Sequence, residues 1–74
     1  MSKQMTFRQK RVLSEKNELN YNLMRLVEFM HTVDFERLDE VERNLMADQV
    51  TAMTKYRTVL ESRIMNFGIQ LVRL

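Results

Sequence analysis

The sequence predicts an all-α fold: an antiparallel two-helix hairpin that assembles into a homo-oligomeric helical bundle. Three observations carry this. The punctuation of a β or loop-rich protein is missing, with no proline and a single glycine, Gly68. Apolar residues recur at helical spacing on both sides of one short break. Finally, 74 residues is near the size where one core barely supplies enough burial. Cysteine is absent and His31 is the only histidine, so disulfides are excluded and a structural metal nearly so. Self-association is the remedy left.

The chain reads as a single domain over residues 1–74. Thr6 with Gln9 three residues on forms a capping-box pattern, which places a helix start near Phe7. Val12, Leu19, Leu23, Leu26, Met30 and Val33 make its apolar stripe, and Met24 and Val27 widen it. Helix 1 is expected over about residues 7–32 and a turn over about 33–38, with Phe35 and Leu38 packing beneath the turn. Asp34 and Asp39 are both plausible N-caps, and Glu42 stands three residues after Asp39. Helix 2 is expected over about 39–67 and an apolar tail over 68–74. Gly68 could close the helix or be a tolerated interior glycine. So short a connection makes the helices antiparallel neighbours.

Helix 2 carries two rows at heptad spacing. Met46, Met53, Leu60 and Phe67 form an apolar row; Glu42, Gln49, Tyr56 and Arg63 form a polar one. Met46, Gln49, Met53, Leu60 and Phe67 are the expected oligomer seam. A purely structural seam would place Leu or Ile in both rows. Polar residues there set register and oligomer state, or serve a ligand. Alternatively, Gln49, Tyr56 and Arg63 lie at the edge of the stripe and reach for water. Val50, Val59 and Ile64 give a second apolar flank, so the helix has more than one neighbour to satisfy.

The net charge of +2 is too small to argue for nucleic acid, but its distribution is uneven. Lys3, Arg8, Lys10, Arg11 and Lys16 crowd the first 16 residues against Glu15 alone, while seven of the ten acids lie between Glu28 and Asp48. Folding about position 36 sets side by side residues whose numbers sum to about 72. Arg63 would then face Arg8 and Arg11, with Tyr56 near Lys16. Basic residues in a first helical turn oppose the macrodipole, and a bound anion would reverse that. Head-to-tail pairing of basic and acidic ends explains the asymmetry equally well.

No glycine-rich phosphate loop, Cys-x-x-Cys or His-Glu-x-x-His is present, so no catalytic residue, metal ligand or cofactor is expected. No apolar run is long enough for a membrane span, and none follows Met1 as in a secretory signal, so a cytoplasmic protein is expected.

The pattern Phe35-x-x-Leu38, then Leu45-Met46-x-x-Gln49-x-x-x-Met53-x-x-Tyr56-x-x-Val59-Leu60-x-x-Arg63-Ile64, resembles small phage-encoded helical-hairpin proteins. These are related to the anti-CBASS and anti-Thoeris sponges, and a crAss-phage small-protein family has a similar pattern. The resemblance covers about residues 7–67 and rests mostly on heptad positions. It implies a compact homo-oligomer, often a hexamer, in the host bacterial cytoplasm. Such an oligomer takes up cyclic di- or trinucleotide immune signals between subunits without cleaving them. The residues here offer matching chemistry: Arg8, Arg11, Lys16 and Arg63 for phosphate, and Phe7 or Tyr56 to stack on a base. The alternative is a structural or adaptor oligomer that binds another protein through its helical face or tail. The acidic turn argues against DNA or RNA as the partner.

Overall fold

The computed structural model describes residues 4–73 and, among them, three helices: α1 (Phe7–Phe29), α2 (Val33–Glu36) and α3 (Glu40–Arg73). Lys3 and Leu74 lie outside the described residues, as do the side chains of the expected apolar tail from Ile69 onward. α1 and α3 pack along each other as an antiparallel pair, giving a rod of 57 × 16 × 15 Å. No described helix is long and apolar enough to cross a membrane.

Each helix starts where a short polar side chain can satisfy its first amides. The Thr6 hydroxyl accepts from the Gln9 amide at 3.2 Å, and the Thr6 amide donates to the Gln9 side chain at 2.8 Å, so both halves of the capping box are made. Asp39 accepts from the Glu42 amide at 2.8 Å at the start of α3. α1 stops at Phe29, three residues before the end expected from its apolar stripe. The reason is Thr32, whose hydroxyl donates to the Phe29 carbonyl at 2.6 Å and accepts from the Phe35 amide at 3.3 Å. One side chain thus closes α1 and caps α2. His31 Nδ1 donates to the Val27 carbonyl at 2.8 Å and satisfies another orphan acceptor of the last turn. Phe35, carried on α2, meets Phe29 edge-to-face with 6.1 Å between ring centroids.

At the other end, α3 continues through Gly68 to Arg73 instead of stopping at 67. Gly68 does not take the left-handed conformation of a closing glycine, so nothing in the backbone ends the helix there.

The core is small. Val12, Leu60 and Phe67 form its centre, with Met5, Leu13, Leu19 and Ile64 packed against it, and Leu23 is buried further along α1. Leu60 is fully covered. The apolar row expected to form an oligomer seam is therefore drawn inward at Leu60 and Phe67, because α1 lies within reach of that row. Met46 and Met53 are half-buried, and Gln49 is exposed with its amide turned toward the Met53 sulfur at 3.8 Å.

Register departs from a fold about position 36. Arg57 Nη1 donates to Asn20 Oδ1 at 2.9 Å, so facing residues sum to about 77 rather than about 72. The early end of α1 and the extra helical turn of α2 move the axis of the hairpin toward the C-terminus.

Candidate functional site

The register decides which site residues can meet. Arg63 comes level with about residue 14 rather than with Arg8 and Arg11, and Tyr56 with about residue 21 rather than with Lys16. Phe7, Arg8 and Arg11 sit at the open end, all exposed, with Phe7 at 76%. Lys16 is half-buried. From Phe7 to the level of Tyr56 is roughly 20 Å along the rod, at 1.5 Å per residue. A single hairpin spreads these six residues along one end and does not gather them around one centre.

What the hairpin does form is a groove of about 350 Å³ between α1 and α3. Leu23, Met24 and Val27 line it from α1, and Val50 and Thr54 from α3. Arg57 and Glu28 complete it. Because facing residues sum to about 77, Arg57 sits at the end toward Asn20, and Glu28 at the end toward the turn. The site is thus an apolar trough with a cation at one end and a carboxylate at the other.

Arg43 and Arg57 each have a covered Nε with no hydrogen-bond partner, and of the two it is Arg57 that lines the groove, with its Nη1 held by Asn20. Asn20 is itself oriented, since its amide nitrogen donates to the Met24 sulfur at 3.8 Å. Among the described residues the one ion pair is Arg37–Asp34 at 3.9 Å, so Arg57 is a part-buried guanidinium without a carboxylate against it. A cation in that setting is poorly compensated and favours an incoming anion. Lys16 stands one turn before Asn20 on α1, which adds positive charge to the same end.

Sequence reasoning did not select Arg57 or Asn20. The signal was present: Val50, Arg57 and Ile64 are one heptad apart, so an arginine interrupts the stripe that faces α1. At 100° per residue, Tyr56 lies about 160° around α3 from Thr54. The Gln49, Tyr56 and Arg63 row therefore runs along the flank away from the groove. The groove and the Gln49, Tyr56 and Arg63 row thus lie on different flanks of the hairpin. Among the described residues no group of three His, Asp or Glu is placed to hold a metal ion.

No curated protein and no solved structure gives a significant match to the chain. The family comparison does give one, covering residues 6–66, from the α1 cap through most of α3. That match spans both long helices, the turn, the groove and the basic open end. The chain belongs to the Sequestin family, the small phage anti-defence proteins that act as cyclic-nucleotide sponges.

Proposed function

We propose that this protein sequesters a cyclic di- or trinucleotide immune signal in basic pockets between the subunits of a homo-oligomer, and holds it without cleaving it. Membership of a sequestering family supports the role. The observation that carries the inter-subunit part is the surface. The chain exposes 6208 Å², against about 4,900 Å² for a compact monomer of this mass. The difference, roughly 1,300 Å², exceeds the ~800 Å² that each partner buries in a standard interface. Much of it is apolar: Val41, Leu45, Tyr56 and Val59 are 46–68% exposed on α3. Their spacing puts them on one stripe turned away from α1.

A second subunit on that stripe would place its own open end near the first, and scattered cations would then converge. Arg8, Arg11, Lys16 and Arg63 would meet phosphate oxygens, with Phe7 or Tyr56 stacking on a base. Isothermal titration of the purified protein against a panel of cyclic di- and trinucleotides tests the reading. The expected result is at least one ligand bound well below 10 μM, since a signal must be captured tightly and 1 μM corresponds to only about 8 kcal/mol. An oligomer that binds none of the panel, but binds a host protein through the same stripe, would replace the sponge with an adaptor.

A further inference from the structure

The groove between α1 and α3 has ends that differ chemically, Arg57 at one and Glu28 at the other. We propose that it holds one nucleotide unit of the bound ligand. The phosphate sits on Arg57, the base lies along the apolar wall, and Glu28 accepts a hydrogen bond from an exocyclic amine. The inference rests on the sponge reading for its biological meaning, but its chemistry stands on this chain alone.

Four observations point the same way. The volume of about 350 Å³ lies at the low end of small-molecule sites and suits a single nucleotide rather than a whole cyclic oligonucleotide. The walls Leu23, Met24, Val27 and Val50 are aliphatic or thioether, surfaces on which a flat base packs without a hydrogen-bonding demand. Arg57 is pre-positioned by Asn20 and lacks an ion-pair partner among the described residues, so it has donor capacity for a phosphate at little further ordering cost. Glu28, at the far end, is an acceptor-only group when ionised. It repels a second phosphate and rewards an amino group, which fixes the direction of the ligand in the trough. An amino-bearing base such as adenine satisfies Glu28, and hypoxanthine, with a carbonyl in its place, does not.

The test uses the full chain with two simple probes, adenosine 5′-monophosphate and inosine 5′-monophosphate. Arginine Nε–H resonances are followed by ¹⁵N NMR during titration, alongside binding by calorimetry. The expected result is a shifted Arg57 Nε–H with AMP, binding weakened at least tenfold in Arg57→Gln but not in Arg63→Gln, and AMP preferred over IMP. Loss of that preference in Glu28→Ala completes it. Should Arg57→Gln fail to fold, the Nε–H shift and the AMP-over-IMP preference in the unsubstituted chain decide alone. AMP that binds without moving Arg57, or that does not bind at 10 mM, overturns the proposal. Failure of the sponge reading looks different: AMP occupies the groove and no cyclic nucleotide binds.

Discussion

Two residues on the inner face of α3 divide the work of the hairpin. Leu60 is fully covered and touches the Val12 and Phe67 cluster, so it is the deepest apolar contact between the helices. With only four buried apolar side chains among the described residues, each has few neighbours able to collapse into a vacancy. Leu60→Ala should lower unfolding free energy by about 2–5 kcal/mol, measured by urea denaturation at fixed protein concentration. Ser62→Ala, at an exposed position two residues on, should stay within about 0.5 kcal/mol. A similar, small effect for both would mean that Leu60 is not where the helices hold together. Arg57 occupies a heptad position where a stability argument would choose an apolar residue, as Val50 and Ile64 at the same heptad position are. An arginine there contributes little to packing that its stem does not already supply. Its place in the stripe makes sense if the guanidinium meets something outside the hairpin.

At the scale of the elements, the two long helices were legible because amphipathic periodicity and caps are local properties. Thr6 with Gln9, and Asp39 with Glu42, act through side chains three residues apart, and the structure uses both pairs. The ends that differed depend on less local facts. Thr32 closes α1 early because one hydroxyl can both donate to Phe29 and accept from Phe35, a double role that a list of N-cap residue types does not rank. That one turn shifts the register, and the register decides whether Arg63 meets Arg11 or not. The candidate site was therefore less legible than the fold: its residues could be named from charge, but their juxtaposition hung on where a turn ended. Gly68 shows the converse. A glycine near a helix end reads as a stop signal, yet α3 passes through it, and a Cβ built there meets nothing within 4 Å. Gly68→Ala should then stabilise the helix by about 0.5–1 kcal/mol through reduced freedom of the unfolded chain. Thermal unfolding followed by circular dichroism should show the midpoint rising by several degrees. A fall would reveal that a neighbouring subunit packs against the bare glycine.

The whole molecule is a rod with a radius of gyration of 16.8 Å, where a compact chain of this length would have about 11 Å. A rod of two helices exposes one long side of each, and here α3 exposes apolar residues on that side. A second copy on the Val41, Leu45, Tyr56 and Val59 stripe covers that side, and it leaves the groove on the other flank free for ligand. Sedimentation equilibrium should accordingly return a multiple of the 9.0 kDa chain mass, and the unfolding midpoint should rise with protein concentration, as it must when folding and assembly are coupled. Val59→Asp puts a charge in the stripe at a position 50% exposed in the single chain, so a lone hairpin tolerates it and an interface does not. The variant should shift the mass toward the monomer and lower the midpoint most at low concentration. An unsubstituted chain that sediments at 9.0 kDa and melts at the same temperature across a hundredfold dilution would show that two helices suffice. In that case the ligand must be held by the groove alone.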